Sequence, residues 1–368
     1  MLLAGGGSGG HLFPALAVGD ELERRGWRVS YSGTATGLEA MIAASRGLDF
    51  HPLEARAVVG RGALGRASAL VALLGSTARA ARLVRRLDAR VVVATGGYAC
   101  VPAALGAFVR RRPIVLVEPN ATAGLANRAL SRIAAAAAVA WPEAARGLRC
   151  PARETGVPVR REFFSVPEAL PAAPPWRLLV LGGSQGATAL NQAVPEALDR
   201  LRGERGLSIT VLHQAGRGKD MATRAAYAAL GLAAEVTPFL DDVPGAMAAS
   251  HLVLSRAGAV TLAEICAAGR PALLFPLHLA AGHQLENARA LERAGAAEVL
   301  EAGPTRPREE AGAPEAPGAL DVAALAERLS RLLDRERLAS MARAARGLAR
   351  PAAAAAIADL VDDTVANR

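Results

Sequence analysis

The stretch HLVLSRAGAVTLAEICAAGRPALLFPLHLAAGHQLENARA, residues 251–290, indicates the fold class of the chain. His251–Ser255 and Pro271–Phe275 are apolar runs of strand length, and the second is apolar throughout, as in a strand buried on both faces. A helix is predicted from Thr261, where Glu264 three residues later fits a capping box. Strands that alternate with helices predict an α/β protein with a parallel, doubly wound sheet.

The turn between the first strand and the first helix of this stretch suits a phosphate group. A glycine followed by a helix start leaves unpaired backbone N–H groups and the positive end of a helix dipole pointing outward. The next helix opens with His283, Gln284 and Asn287, of which Gln284 and Asn287 share a face. Their amides and the Glu264 carboxylate suit sugar hydroxyls and a base edge. Taken singly, Glu264 also fits a helix cap and Asn287 a solvent-facing residue.

The composition is that of a globular protein. With 368 residues, 52% hydrophobic and 21% charged, the chain is long enough for two domains with full cores. No apolar run approaches the roughly 18–20 residues of a membrane span, and no signal peptide is expected. Cys100, Cys150 and Cys266 are scattered, without metal-ligand spacing, which favours a reducing cytoplasm.

The positive charge of the chain is concentrated in its first half. Residues 1–158 contain 20 Arg against 10 Asp and Glu, whereas the remainder is close to neutral. Such a basic half indicates either nucleic acid or an anionic membrane surface as a partner. Aromatic residues make up only 4% and do not alternate with arginines, which disfavours nucleic acid.

The chain begins with a strand, a glycine turn and a helix from about Phe13 to Arg25. Gly5-x-Gly7-x-x-Gly10 matches the dinucleotide-binding fingerprint, which also requires an acidic residue after the second strand. That strand, Arg28–Tyr31, is followed by Ser32-Gly33-Thr34, so neither a nicotinamide nor a flavin cofactor is expected. His11, at the helix start where a substrate can approach, is a candidate for catalysis as well as for a structural role.

Polar residues follow two further buried strands, Val91–Ala94 and Ile114–Val117. Ligands of doubly wound sheets bind beyond the carboxyl ends of the strands. The residues at or near these ends are Thr95, Tyr98, Glu118, Asn120 and Asn127. Between residues 61 and 90, leucines among arginines predict one or two helices that either contact a membrane or simply present a solvated basic face.

Proline-rich residues 151–176 mark a connection between two domains. The predicted domains are residues 1–158 and 177–350, joined by a linker at 159–176. A terminal helix at 351–368 is predicted to return to the first domain. The second domain opens with the strand Arg177–Leu181 and another glycine loop, 182–187. Asp241 and Asp242 fit helix caps better than metal ligands, so no metal is expected. Residues 301–320, rich in Pro, Gly, Ala and Glu, predict a mobile loop.

Several ordered motifs over about residues 4–300 resemble the MurG family, bacterial glycosyltransferases with the glycosyltransferase B fold. The motifs are G-G-x-G-G-H-x-x-P at residues 6–14, T-G-G-Y at 95–98, E-x-N-x-x-x-G-x-x-N at 118–127, G-V-P-V-R at 156–160, G-G-S-Q-G-A at 182–187, S-R-A-G-A-x-T-x-x-E at 255–264 and H-Q-x-x-N-A at 283–288.

The resemblance implies two Rossmann-like domains with parallel sheets that face a cleft. It implies inverting transfer of GlcNAc from UDP-GlcNAc, held by the second domain, to the C4 hydroxyl of MurNAc in lipid I, held by the first, which gives lipid II for peptidoglycan. The enzyme would be peripheral at the cytoplasmic face of the cell membrane, on an anionic surface. Other cell-wall synthesis proteins are possible partners, whereas nucleic acid, cofactors and metals are not expected.

The resemblance also assigns roles to residues. His11 or Glu118 would be the catalytic base, and the sequence does not decide between them. Thr95, Tyr98 and Asn127 would lie on the acceptor side. The donor contacts would be Ser8, Gly9, Gly10, Asn120, Arg160, Ser184, Gln185, Leu240, Ala259, Val260, Thr261, Glu264, His283, Gln284 and Asn287.

Two alternatives remain at this stage. One is another enzyme of the same fold, such as a UDP-GlcNAc 2-epimerase or a glycolipid transferase. An epimerase needs no lipid acceptor and would lack the T-G-G-Y and E-x-N motifs. The other is a non-catalytic scaffold at the membrane surface that binds a UDP-sugar only as a ligand; it would bind without turnover.

Overall fold

A computed structural model describes residues 1–6, 9–55, 63–183, 186–277, 283–301 and 320–367. The chain divides into two compact units, a first unit of Met1–Val159 with Arg350–Arg368 and a second unit of Arg160–Ala349. Each unit contains a parallel sheet covered by helices, which confirms the predicted α/β class. None of the helices described in these ranges has the length and apolar character that crossing a bilayer requires.

The first unit is a seven-stranded sheet. Its strands are β1 (Leu2–Ala4), β2 (Ser30–Gly33), β3 (Phe50–Pro52), β4 (Val92–Ala94), β5 (Ile114–Glu118), β6 (Ala136–Val139) and β7 (Ala152–Glu154). Its helices up to the connection are α1 (Gly9–Arg24), α2 (Leu38–Arg46), α3 (Ala63–Arg86), α4 (Val101–Val109), α5 (Leu125–Leu130) and α6 (Pro142–Ala145). The strand order is β3-β2-β1-β4-β5-β6-β7, and every pair is parallel.

The second unit is a six-stranded sheet. Its strands are β8 (Trp176–Leu181), β9 (Ile209–Gln214), β10 (Ala234–Thr237), β11 (Leu252–Ser255), β12 (Ala272–Leu274) and β13 (Ala297–Val299). Its helices are α7 (Thr188–Arg205), α8 (Asp220–Ala229), α9 (Val243–Ala248), α10 (Ala259–Ala268), α11 (His283–Arg293), α12 (Val322–Leu332) and α13 (Arg335–Gly347). The last helix, α14 (Ala353–Ala366), packs on α1 and β6 of the first unit. The strand order is β10-β9-β8-β11-β12-β13.

The central strands of the first sheet are buried on both faces, which explains their uninterrupted apolar sequences. One face packs against α3 and α4, and the other against α1 and α14. Alternate residues divide between these layers, with Leu2, Val92 and Ile114 on one side and Leu3, Val93 and Val115 on the other.

The chain order reverses direction at one point in each sheet. In the first sheet β1 lies between β2 and β4, and in the second sheet β8 lies between β9 and β11. Ligands of doubly wound sheets bind at such a switch point, outside the carboxyl ends of the two central strands. The first switch point therefore lies beyond β1 and β4, and the second beyond β8 and β11.

Some predicted elements need correction. The capping box at Thr261 and Glu264 is wrong, because α10 begins two residues earlier with Gly258 as its N-cap and no side-chain cap. The prediction that aspartates cap a helix is confirmed for Asp242, whose carboxylate accepts from the Gly245 amide at 2.9 Å. The proline-rich stretch 151–176 is not entirely connection, since β7 lies within it. In the predicted 301–320 loop, residues 302–319 lie outside the described ranges.

Candidate active site

His11 lies in the first turn of α1, at the first switch point. Its Nδ1 is 2.9 Å from the Thr95 carbonyl oxygen, and the Thr95 hydroxyl donates to the His11 carbonyl oxygen at 2.7 Å. A Cβ on Gly96 or Gly97 would come within 3.0 Å of the imidazole ring, so only glycines let this loop approach it. Because a carbonyl oxygen can only accept, Nδ1 carries the hydrogen, and Nε2 is the basic nitrogen of the neutral ring.

Glu118 is the centre of a hydrogen-bonded turn after β5. Its carboxylate is 1% exposed, and Oε1 accepts from the Asn120 backbone N and Nδ2 at 3.0 and 2.9 Å. Oε2 accepts from the Gly124 amide at 2.7 Å and from Asn127 Nδ2 at 2.9 Å. A carboxylate has about four acceptor positions in all, so these four bonds occupy them. The arrangement fits a residue that shapes the turn better than one that takes a proton from a substrate.

Of the other residues at these strand ends, Asn127 and Thr95 are buried, whereas Tyr98 is exposed. Asn127 is 1% exposed and also donates to the Val117 carbonyl oxygen at 3.0 Å, while its Oδ1 is buried and has no hydrogen-bond partner among the described residues. Thr95 is fully buried, and Tyr98 is 42% exposed. An unsatisfied buried amide oxygen is costly to the fold.

A carboxylate that the sequence did not single out lies under the first glycine loop. Glu39, at the start of α2, is 2% exposed, and its Oε1 accepts from the Thr34 amide and hydroxyl at 2.9 and 2.7 Å. A Cβ on Gly6, Gly33 or Gly37 would overlap its side chain. The loop therefore closes over a buried carboxyl group that is hydrogen-bonded to Thr34.

The second switch point begins with the glycine loop after β8. A Cβ on Gly186 would overlap the Ala215 carbonyl oxygen, and one on Gly182 would lie 2.7 Å from the Gln214 carbonyl oxygen. These glycines pack against the end of β9. A buried network holds that strand end in place, and in it Asn191 donates to the Ala215 carbonyl oxygen at 2.9 Å. Ser184 and Gln185, like Ser8 in the first loop, lie outside the described ranges.

The buried network behind this loop is neutral. His213 Nε2 lies 3.1 Å from Asn191 Oδ1, and its Nδ1 lies 2.9 Å from the Tyr227 hydroxyl. Burial lowers the pKa of His213 to about 4, so the ring is uncharged at neutral pH. The network supports the loop and does not supply charge to it.

The turn between β11 and α10 carries the charged groups of the second switch point. The helix begins at Ala259, so the amides of Ala259, Val260 and Thr261 lack acceptors within the helix and lie at its positive end. Glu264, one turn further along, is half-buried. Burial raises its pKa to about 7, and the nearby Arg160 guanidinium acts in the opposite direction.

Two arginines accompany this carboxylate. Arg160 is exposed and lies over the Phe163 ring, with 5.1 Å between the guanidinium carbon and the ring centroid. Arg256 is half-buried in the turn itself, and burial lowers its pKa. The motif around Arg256 assigns no role to this residue, although its place directly after a buried strand is a signal of a ligand site. Helix amides, two arginines and a carboxylate together suit a nucleoside diphosphate.

α11 supports the same turn from the side. Asn287 is fully buried and donates to the Ala257 carbonyl oxygen at 3.3 Å, while Gln284 Oε1 accepts from the Leu277 amide at 3.0 Å. His283 Nδ1 is buried without a hydrogen-bond partner among the described residues. Leu240 is half-exposed beyond the carboxyl end of β10, toward one edge of the sheet. Asn287 thus contacts the turn between β11 and α10 through the Ala257 carbonyl oxygen, whereas Leu240 lies at a different strand end of the same sheet.

The two halves of the chain match known domains of one family. Residues 1–139 match the glycosyltransferase family 28 N-terminal domain, and residues 177–309 match the glycosyltransferase family 28 C-terminal domain. A curated protein of Aeromonas hydrophila is 39% identical over 366 residues, which cover 98% of this chain and 95% of that protein. The chain belongs to the MurG family, within glycosyltransferase family 28. The resemblance seen in the motifs is confirmed.

The relatives share one name. A protein of Sorangium cellulosum is 48% identical over 311 residues, 82% of this chain and 76% of its own length. It and the Aeromonas protein are named UDP-N-acetylglucosamine--N-acetylmuramyl-(pentapeptide) pyrophosphoryl-undecaprenol N-acetylglucosamine transferase. The crystal structure of Acinetobacter baumannii MurG is 31% identical, with a TM-score of 0.78 and 99% of both chains covered.

Other enzymes share only the fold. The structure of a UDP-N-acetylglucosamine 2-epimerase from Listeria monocytogenes has a TM-score of 0.69 at 14% identity, and it covers the whole of this chain. The likeness confirms the glycosyltransferase B architecture of two parallel-sheet domains. At this identity it does not favour the epimerase alternative, which the much closer relatives also disfavour.

Proposed function

We propose that this MurG-family enzyme transfers GlcNAc from UDP-GlcNAc to the C4 hydroxyl of MurNAc in lipid I and so forms lipid II. The observation that carries the proposal is the second switch point, where the α10 amides, Arg160 and Arg256 accompany the desolvated Glu264 carboxylate. Phosphates and ribose hydroxyls need this combination of groups. The activity in the names of the Sorangium and Aeromonas relatives supports the same substrate pair.

In this proposal the second unit holds the donor. Glu264 accepts hydrogen bonds from the ribose hydroxyls, which favour its charged form, while the α10 amides and the two arginines stabilise the diphosphate as it leaves. Ser184, Gln185 and Leu240 complete the nucleotide contacts. His283 and Gln284 lie near the sugar, and Asn287 keeps the turn in place through Ala257.

The first unit holds the acceptor and the base. His11 Nε2 takes the proton of the acceptor hydroxyl as its oxygen attacks the anomeric carbon, and the bond from that carbon to the diphosphate breaks. Thr95 orients the imidazole through its carbonyl oxygen, which is a positioning role. Tyr98 contacts the acceptor, and Asn127, Asn120 and Glu118 maintain the turn beside it. Gly9 and Gly10 approach the transferred sugar.

We also place the first unit at a membrane surface. Val71 and Leu74 on α3 are 71% and 65% exposed, and Phe108 and Val109 at the end of α4 are 54% and 60% exposed. α3 and α4 pack side by side, and arginines 110–112 follow the apolar residues of α4. Large exposed apolar side chains that are followed in the chain by arginines suit an anionic bilayer surface. The cytoplasmic face of the membrane, where lipid I would be presented, fits this surface.

The test is transfer of labelled GlcNAc from UDP-GlcNAc to a short-chain lipid I analogue, with EDTA present. We expect a disaccharide product with release of one UDP for each GlcNAc transferred. UDP release with ManNAc and no disaccharide would instead indicate an epimerase. Binding of UDP-GlcNAc without any turnover would indicate the scaffold alternative.

A further inference from the structure

The second unit contains a cavity at the end of its sheet opposite to the donor turn. It has a volume of about 520 Å³ and lies where β8 and β11 begin, between the segment 168–171, Trp176 and α13. α10 separates it from the donor turn, because that helix starts at Ala259 beside the turn and ends near Gly269, which lines the cavity. Ten helical residues span about 15 Å. The size is that of a small-molecule site, about 300–1,000 Å³.

The walls of this cavity are apolar, and its charge is positive. Trp176, Leu170 and Leu338 provide apolar surface, and Arg335, Arg343 and Arg346 also line it. Arg335 and Arg346 donate to backbone carbonyl oxygens, of Ala173 and of Val166, Ala267 and Ala268 respectively. Among the described residues none of these three arginines has a carboxylate partner, and Glu168 is the one acidic residue in the lining.

A fourth arginine lies directly behind the wall. Arg270 is fully buried, and its guanidinium donates only to backbone carbonyl oxygens, including those of Met247 and Pro167 at 2.7 and 3.0 Å. Burial and, to a lesser extent, the neighbouring Arg346 lower its pKa to about 10. Arg346 Nε is itself buried without a hydrogen-bond partner in the described part of the chain. Uncompensated positive charge in a concave, partly apolar place attracts anions.

A second cavity in the same unit is also lined by arginines, but there the arginines are paired with carboxylates. That cavity, about 450 Å³, is lined by Arg328, Arg331 and Arg337 together with Glu292 and Glu298. Glu298 pairs with Arg328 at 2.8 Å and also with Arg337. Its positive charge is therefore neutralised internally, whereas that of the cavity beside Trp176 is not.

His251 stacks edge-on with Trp176 in the cavity wall, with ring centroids 5.2 Å apart. Its Nδ1 accepts from the Arg177 amide, and its Nε2 lies 3.0 Å from the Pro171 carbonyl oxygen, so both nitrogens have structural roles. Burial lowers its pKa, which keeps it neutral. The positive charge of the site therefore comes from its arginines and not from this histidine.

We propose that the cavity beside Trp176 binds an anion with a small apolar body, such as a phosphate monoester, at a site separate from the donor turn. The anionic group would contact Arg343, with Arg346 and Arg335 nearby, and the apolar part would pack on Trp176 and Leu170. The same chemistry occurs in soluble phosphate esters and in the head groups of anionic lipids. The assignment is independent of the glycosyl transfer proposed above.

The test uses the full-length protein with its donor site saturated by UDP. Phenyl phosphate and inorganic phosphate are titrated by calorimetry, and binding to phosphatidylcholine vesicles with and without phosphatidic acid is measured by sedimentation. The variants are Arg343→Gln, which changes an exposed side chain, and Ala339→Phe, which fills the cavity from α13. Arg337→Gln on the same helix, in the neutralised cavity, is the matched control.

We expect phenyl phosphate to saturate one site and to bind more tightly than inorganic phosphate, because the ring is buried. Arg343→Gln should weaken binding about tenfold, the loss expected for one charge-assisted hydrogen bond. Ala339→Phe should abolish binding, and Arg337→Gln should not change it. Arg343-dependent binding only to vesicles with phosphatidic acid would identify a lipid head group as the source. Absence of Arg343-dependent binding to phenyl phosphate and to both vesicle types would overturn the site.

Discussion

The two units have the same strand order at their switch points, yet different side chains accompany the loops there. In the first unit the glycine loop after β1 lies on the buried carboxylate of Glu39, and in the second unit the turn after β11 contains Arg256 with Arg160 nearby. We therefore expect the first loop to lie beside the acceptor hydroxyl at His11, and the turn after β11 to hold a diphosphate.

Removing the proposed base should have the largest effect. His11→Ala should lower kcat for GlcNAc transfer by about 10²–10⁴, the usual contribution of general-base catalysis. His11→Gln keeps a polar side chain at the Thr95 carbonyl and serves as the control for loop placement. A kcat close to that of the wild type in His11→Ala would remove His11 from the mechanism.

Without a bound ligand, ionised Glu264 should lower the free energy of unfolding. Its folded pKa of about 7 lies above the ordinary 4.5, so the folded protein holds this proton more tightly than the unfolded chain does. The penalty is absent below pH 4.5, grows as the pH rises, and is complete above about pH 7, where it reaches about 3 kcal/mol. Glu264→Gln should therefore raise the free energy of unfolding at pH 8 by up to this amount.

The measurement is urea unfolding of both proteins without nucleotide at pH 5 and pH 8. The gain from Glu264→Gln should be much smaller at pH 5, where Glu264 is protonated in the wild type. An equal gain at both pH values would show that the carboxylate is not desolvated as described.

Replacing Glu118 should mainly lower the stability of the folded protein. In Glu118→Gln one acceptor oxygen becomes an amino group that faces N–H donors, such as those of Gly124 and Asn127. Leaving such donors unsatisfied should lower the free energy of unfolding by about 2 kcal/mol. Thermal unfolding gives the comparison. A variant with unchanged Tm and no turnover would return Glu118 to the role of base.

The membrane surface of the first unit should give the smallest effects for each substitution. Replacing one of the arginines 110–112 by Gln should weaken binding to anionic vesicles about fivefold, since each basic residue contributes about 1 kcal/mol. Arg200→Gln in the second unit is the matched control and should bind as the wild type does. Equal loss in both would assign the effect to net charge alone.

The apolar strands could be predicted from the sequence, because residues such as Val92 and Ile114 are buried on both sides of a parallel sheet. β6 could not, since Ala136–Val139 is mostly alanine and forms a strand only through its neighbours on both sides. The exposed edge strand β7 has no apolar pattern to reveal it.

The candidate site was predictable where a motif marks a strand end, as at His11 and Thr95. Glu39 could not be predicted, because the dinucleotide-binding fingerprint places its acidic residue directly after β2. Glu39 lies further along the chain, at the start of α2, and reaches the glycine loop only in the folded structure. Three glycines that leave room for it, Gly6, Gly33 and Gly37, were the only sign. The raised pKa of Glu264 depends on tertiary burial, which spacing alone does not reveal.

The central claim is that the second unit binds the donor and the first unit supplies the base. Its most direct test is the affinity for UDP, measured by calorimetry in the wild type, His11→Ala and Glu264→Ala. Glu264→Ala should weaken UDP binding about tenfold or more, through loss of charge-assisted hydrogen bonds to the ribose. His11→Ala should bind UDP as the wild type does. Loss of UDP affinity in His11→Ala equal to that in Glu264→Ala would contradict it.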